Sequence, residues 1–306
     1  MKIIRHPRAG VAGTAIAIGS FDGVHLGHQA ILAHVARKAR SLGLAPAVLT
    51  IEPLSREFLR PAAAPPRLTS LAERLDALAR AGIELAYVQR FDPAFAAITA
   101  EEFEQRLPGR YGARWVMVGE DFRYGARRMG DLQSLMDAGA RLGFEVAVIP
   151  AVAAGGERIS STRVREALRE GNLAQAARLL GRPYTICGRV VHGAKRGRGL
   201  GFPTANVRLA RPKPALEGIF AVKCFGAATR GLEGVASLGI NPAVTDGGPA
   251  TLEAFLFDFS GDLYGRRLTI EFHKKLRDEA HFASLDALAA QIRRDCDAAR
   301  AHFSSP

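Results

Sequence analysis

His25 and His28, with Gly27 between them, stand where an apolar run ends, and residues 15–28 read AIAIGSFDGVHLGH. In the first turn of a helix, histidines three residues apart project from one face, beside unbonded backbone N–H groups and the positive end of the helix dipole. Gly27 leaves no side chain to block a ligand lying on that turn. Such a turn suits a polyphosphate, and two imidazoles there can donate hydrogen bonds to phosphorus-bound oxygens as charge builds during an in-line displacement. An isolated H-x-x-H is better read as loop or capping histidines satisfied by carbonyls. Here the apolar run, the GSFDG turn and the intervening glycine agree with one another and favour the anion site.

A second element reads ISSTRVR at residues 159–165. Ser160, Ser161 and Thr162 offer hydroxyls and backbone N–H groups at a helix start, and Arg163 and Arg165 offer charge. Alone it is an N-cap followed by surface arginines. Paired with the histidine turn it becomes a second clamp on one triphosphate.

Residues 193–206, GAKRGRGLGFPTAN, are glycine-rich and basic but fit neither GxxxxGK[ST] nor GxGxxG at its spacing. On an extended chain Thr204 and Asn206 point to the same side. A hydroxyl and an amide oxygen so placed can hold Mg²⁺ and the phosphates it bridges; a polar turn with an Asx-type bond is the alternative. Glu253 is the sole carboxylate of the apolar run 252–257. It is desolvated there unless paired, which suits a base taking a proton from an alcohol, while a salt bridge to a nearby Lys or Arg is an equal alternative.

Positioning these groups requires two kinds of domain. Strand patterns at 15–19, 47–51, 85–89, 115–119 and 145–149 alternate with helical ones at 29–42, 69–81 and 132–142. That alternation predicts a doubly wound parallel α/β sheet, whose ligands sit at the carboxyl ends of strands, where the histidine turn lies. A helical pattern from Thr162 through Leu180 ends at GRPY, residues 181–184. Strand-like runs at 184–191, 218–225, 252–259 and 267–273 then predict an antiparallel β-barrel or sandwich. A last helix starts at the N-cap Ser284 and carries Leu285, Leu288, Ile292, Cys296, Ala299 and Phe303 on one stripe. The 306 residues are therefore expected to divide as two domains, 1–180 and 184–306, with a single domain as the alternative.

Hydrophobic residues at 48% and charged residues at 24% exclude a disordered chain. The net charge of +12 attracts anions, whether nucleic acid, headgroups or phosphorylated small molecules, with a solvated basic face as an equal alternative. A nucleic-acid reading would use Lys195 to Arg198, but the 193–201 loop has no aromatic side chain on which bases could stack. Cys187, Cys224 and Cys296 are odd in number and far apart, so neither a disulfide framework nor a zinc site is expected, only buried small hydrophobes. The first residues, MKIIRHPRAG, lack an apolar signal core, and no apolar run approaches the roughly 18 residues of a membrane span. A cytoplasmic protein is the expectation.

H-x-G-H after the first strand, with ISST-x-x-R closing the domain, resembles the nucleotidylyltransferases. GSFDGVHLGH together with VGEDFRYG at 118–125 resembles the FAD synthetase module of the bacterial bifunctional riboflavin kinase/FMN adenylyltransferase family. GRGLGFPTAN, LEAFLFDF, DLYG at 262–265 and the terminal helix are similar to that family's riboflavin kinase module, so the resemblance runs over almost the whole chain. It implies two reactions: phosphorylation of riboflavin by ATP to FMN, then transfer of AMP from ATP to FMN, giving FAD and pyrophosphate. By the same resemblance His25, Gly27, His28, Ser161, Thr162 and Arg165 handle ATP phosphates in the first domain, and Gly193 and Gly201 do so in the second. Asp121, Phe122 and Arg123 would lie at the flavin, Thr204 and Asn206 would ligate Mg²⁺, and Glu253 would be the catalytic base. Partners would be riboflavin, FMN and ATP, with no nucleic acid and no membrane. Two positions depart from the family's pattern. Leu54, in EPLS at 52–55, replaces the histidine of a proline-histidine-proline run, and Ala243, in INPAV at 240–244, replaces a threonine. The first is expected to weaken adenylyl transfer; the second should weaken ordering at the kinase site by roughly 1 kcal/mol. A chain that keeps only the kinase is the alternative enzyme.

Overall fold

The computed structural model describes residues 1–7, 13–149, 152–154, 157–193, 201–211, 213–240 and 250–304. Residues 194–200, with Lys195 and Arg198, and residues 241–249, with Ala243, lie outside them. The chain forms two units, Met1–Pro65 with Leu71–Ser160, and Pro66–Ser70 with Ser161–Pro306.

In the first unit the strands are Lys2–Ile4 (β1), Thr14–Ile18 (β2), Ala45–Glu52 (β3), Leu85–Arg90 (β4), Ala113–Gly119 (β5) and Glu145–Ile149 (β6). They form one parallel sheet in the order β1-β4-β3-β2-β5-β6. Between them run the helices Leu26–Leu42 (α1), Ser55–Leu59 (α2), Leu71–Arg80 (α3), Pro93–Ala96 (α4), Ala100–Tyr111 (α5) and Leu132–Leu142 (α6). Alternation along the central strands sends successive residues to opposite faces. Ala15, Ala17, Trp115 and Met117 join a core with Leu32, Val35, Leu75 and Leu78. Ile16, Val116 and Val118 join another with Phe103, Leu107 and Leu135. Both faces are covered by helices, as a doubly wound fold requires. A small antiparallel hairpin, Ala153–Ala154 (β7) and Glu157–Arg158 (β8), follows β6.

The second unit carries the helices Ser161–Arg169 (α7) and Leu173–Leu180 (α8). Where the sequence suggested one helix from Thr162 to Leu180, the chain breaks at Gly171, which takes the left-handed φ of 73°. Asn172 then caps α8 by accepting from the Gln175 N–H at 3.0 Å. The strands Tyr184–Val191 (β9), Thr204–Arg208 (β10), Gly218–Phe225 (β11), Leu232–Ile240 (β12), Ala250–Leu256 (β13) and Arg267–Arg277 (β14) close into an antiparallel barrel, which decides between barrel and sandwich. One face of each strand is buried inside: Val207, Leu252 and Leu238 are register partners, and Phe220 meets Phe272 edge-on at 5.2 Å. The final helix, Leu285–Ser304 (α9), is capped as expected, Ser284 Oγ accepting from the Ala287 N–H at 3.1 Å. Cys296 and Ala299 of α9 pack with Ile219, Ala221 and Val235 on the outer face of β11 and β12. Cys224 and Cys296 are buried, and burial pushes their thiols up to about 12 and about 11. Cys187 is only half-buried, with Sγ 3.1 Å from the Thr269 hydroxyl.

Candidate functional site

In the first unit the switch of strand order falls between β2 and β5, because connections run from β2 to β3 on one side and β5 lies on the other. Ligands of such sheets bind outside the carboxyl ends at that point. The histidine turn follows β2 and the 119–125 loop follows β5, so both occupy it. The turn itself is strained: Phe21, Gly23 and Val24 have φ of 51°, 85° and 41°, two of them without the freedom of glycine. Gln29 donates from Nε2 to the Val24 carbonyl at 2.9 Å, and the Ser20 carbonyl accepts from the Thr50 hydroxyl at 3.3 Å, holding the two ends.

His25 is the N-cap of α1: its Nδ1 accepts from the His28 backbone N–H at 3.3 Å, which puts the proton of the neutral ring on Nε2. The two imidazoles stack, centroids 3.7 Å apart and planes at 17°, with Phe21 edge-on to His28 at 5.3 Å. His28 Nδ1 is buried and meets no hydrogen-bond partner among the described residues. Burial first, then the neighbouring His25 and Arg74, hold His28 well below the usual histidine range, so it is neutral near pH 7. A Cβ at Gly27 would sit 3.1 Å from His25 Cε1 and Nδ1, so this glycine also makes room for the His25 ring. His25 thus caps α1, and the pair forms one imidazole stack at a helix start.

After β5, Asp121 is exposed and pairs with Arg158 at 3.5 Å, while Arg123 pairs with Asp131 at 3.1 Å. Phe122 stacks on Tyr124 with centroids 5.5 Å apart. Tyr124, which the sequence reading passed over, anchors the loop: its hydroxyl donates to Glu104 at 2.7 Å and lies 3.0 Å from Ser134 Oγ. Burial raises its pKa and keeps it protonated. Leu54 opens α2 and its N–H donates to Glu57 at 2.9 Å.

Ser161, Thr162 and Arg165 begin α7, in the second unit; Thr162 is exposed, and Arg165 Nε donates to the Pro66 carbonyl at 2.6 Å. On the barrel, Asn206 is the register partner of Glu253, and Thr204 lies two residues along the same face. Thr204 Oγ1 donates to Glu253 Oε2 at 3.0 Å, so the three residues converge on a half-exposed outer face. Among the described residues Glu253 makes no ion pair with Lys or Arg; Lys195, Arg196 and Arg198 lie outside them. A Cβ at Gly193 would collide with the Asn206 amide, so Gly193 is where the Asn206 side chain lies. Gly201 has φ 84° and open space where a Cβ would stand. The row continues to Ser237, partner of Glu253 on β12, whose hydroxyl donates to Glu279 at 3.1 Å. Neither residue stands out in the sequence, because only the strand register brings them beside Glu253.

Residues 9–163 match the family model for FAD synthetase, and residues 180–303 match that for riboflavin kinase. A bifunctional riboflavin kinase/FMN adenylyltransferase of Escherichia coli K12 is 44% identical over 308 residues, covering 99% of this chain and 98% of the relative. That of Pseudomonas fluorescens is 44% identical over 290 residues, covering 94% and 93%. A crystal structure from Streptococcus pneumoniae, described as a macrolide-efflux protein, superposes with a TM-score of 0.79 at 31% identity, covering 97% of this chain and 98% of that one. Among the described residues no helix is long and apolar enough to cross a membrane. With two family models that together span most of the chain and relatives matched end to end, the chain belongs to the bifunctional riboflavin kinase/FMN adenylyltransferase family.

Proposed function

We propose that the chain makes FAD in two steps, with residues 184–306 phosphorylating riboflavin and residues 1–180 adenylylating the FMN produced. The observation that carries this reading is that each matched family segment encloses its own reactive cluster: His25 and His28 within 9–163, and Thr204, Asn206 and Glu253 within 180–303. In the kinase step Glu253 accepts the proton of the riboflavin 5′-hydroxyl as that oxygen attacks the γ-phosphorus of ATP, and ADP leaves. The Thr204 hydroxyl orients the Glu253 carboxylate. Thr204 and Asn206 offer hard oxygen donors, the kind Mg²⁺ takes, and the ion would neutralise phosphate charge there. Gly193 and Gly201 would let backbone approach the phosphates. In the adenylyl step the FMN phosphate attacks the α-phosphorus of ATP and pyrophosphate leaves. The nucleophile is already anionic, so no base is needed, and His25 and His28 act as hydrogen-bond donors to the oxygens that gain charge. Gly27 would leave room for the ATP phosphates, Ser161, Thr162 and Arg165 offer hydroxyl, N–H and guanidinium donors of the kind phosphate takes, and Asp121, Phe122 and Arg123 would hold the flavin. Anionic ATP and FMN suit the positive net charge, and the reading favours a cytoplasmic enzyme.

The test is chromatographic, with MgATP and either riboflavin or FMN supplied. The parent protein should yield FAD from both. Replacing both His25 and His28 by Ala should abolish FAD formation and leave FMN formation intact, whereas Glu253→Gln should slow FMN formation by roughly a hundredfold and spare FAD formation from FMN. Parallel loss of both activities in a folded His25→Ala/His28→Ala protein, or FMN formation at the parent rate in Glu253→Gln, would defeat the assignment.

A further inference from the structure

Arg74 lies on α3 with none of its surface exposed. Its guanidinium reaches three acceptors at the carboxyl ends of adjacent strands: the Ser20 carbonyl after β2 at 2.8 Å, the Ile51 carbonyl at 3.3 Å and Glu52 Oε2 at the end of β3 at 2.6 Å. Ser20 precedes Phe21, the first of the three left-handed positions, Phe21, Gly23 and Val24, that lead to His25. A buried guanidinium is a poor way to gain stability, because desolvation offsets most of the attraction and an apolar side chain of similar volume usually does as well. Its planar fork, by contrast, fixes several acceptors at once. We propose that Arg74 is a positioning residue for adenylyl transfer, its guanidinium locking the ends of β2 and β3 so that the strained turn presents the His25–His28 stack in one orientation.

Three further observations agree. The Ser20 carbonyl has a second donor in the Thr50 hydroxyl, so the start of the turn is held from both β3 and α3. The far end is held separately by Gln29 on the Val24 carbonyl. The Arg74 charge is also one of the causes that keep His28 neutral, after burial and His25. A small displacement of a catalytic group costs far more rate than stability. The sequence gives little sign of this, since Arg74 reads as one polar position of an amphipathic helix and its acceptors lie 54, 23 and 22 residues away.

The inference rests on the proposed role of the histidine pair, so Arg74→Met, Arg74→Lys and His28→Ala are assayed together for FAD formation from FMN and for FMN formation from riboflavin. Arg74→Met is expected to lower kcat for FAD formation roughly tenfold or more, leave the KM for FMN within about twofold, and leave riboflavin phosphorylation unchanged. Arg74→Lys, which keeps the charge but not the fork, should recover part of the loss. An unchanged FAD-forming kcat in folded Arg74→Met, with His28→Ala inactive, overturns the positioning role alone. Should His28→Ala keep full FAD formation, the reading of the pair fails and this role fails with it. Equal loss of both activities in proportion to a fall in Tm shows a purely structural arginine. If Arg74→Met does not fold, Arg74→Lys decides: full FAD-forming kcat overturns the proposal, and a lowered kcat with kinase activity intact supports it.

Discussion

A histidine buried in neutral form ties function to stability through a single proton. His28 is held well below its ordinary value, by burial first and then by His25 and Arg74, so the unfolded chain binds a proton near pH 6.5 that the folded chain refuses. The unfolded state then binds more protons than the native one, and stability rises with pH across that window. Above the unfolded value the group costs nothing; as pH falls from about 6.5 toward the lower folded value, stability is progressively lost. Tm measured against pH should therefore be level above neutrality and fall on the acid side, and the fall should be shallower in His28→Gln. Identical acid-side slopes in the two proteins would remove His28 as the cause. The buried, unpartnered Nδ1 atom is a cost the site carries, of the kind that collects where catalysis rather than stability sets the residue.

At the scale of elements, local pattern was readable and tertiary register was not. The helix over 132–142 and the strands over 145–149, 184–191 and 218–225 have the bounds expected from periodicity, because each is regular and has a glycine or proline at one end. α5 was hidden by Pro108 and a dense run of charges, and β12 by two glycines, a glutamate and a serine that break its alternation. Thr204 and Asn206 could be placed on one side of a strand from their spacing alone. Their convergence with Glu253, 49 residues from Thr204, depends on the β10–β13 register. The attachment of α9 is also of this long-range type. Apolar residues supply its packing, but Asp295, buried on α9, accepts from two nitrogens of Arg277 at the end of β14, Nε at 2.9 Å and 3.1 Å and Nη2 at 2.8 Å, and from Gln291 at 2.8 Å. Removing one partner of such a pair strands the other charge, so Asp295→Ala should lower the unfolding free energy by about 3 kcal/mol in urea titrations. A change below about 0.5 kcal/mol would mean that the apolar stripe alone seats the helix.

For the whole molecule, the excess of 42 basic over 30 acidic residues acts at longer range than any one contact. Composition could not say which anion that field serves, since nucleic acid, headgroups and nucleotides would all be drawn by it. The family to which the chain belongs fits small phosphorylated substrates. The two proposed reactions then offer a built-in comparison, because riboflavin is uncharged and FMN carries a phosphate. A net positive field should raise encounter with FMN and leave riboflavin unaffected. Salt shortens the reach of that field from about 30 Å at 0.01 M ionic strength to about 8 Å at 0.15 M. With ATP saturating, kcat/KM for FMN in FAD formation should fall severalfold across that range, while kcat/KM for riboflavin in FMN formation stays nearly flat. Should both fall together, the salt acts on ATP or on the fold. Should neither fall, the charge is a solvated surface with no part in substrate capture, and contacts within the sites must supply all the attraction FMN experiences.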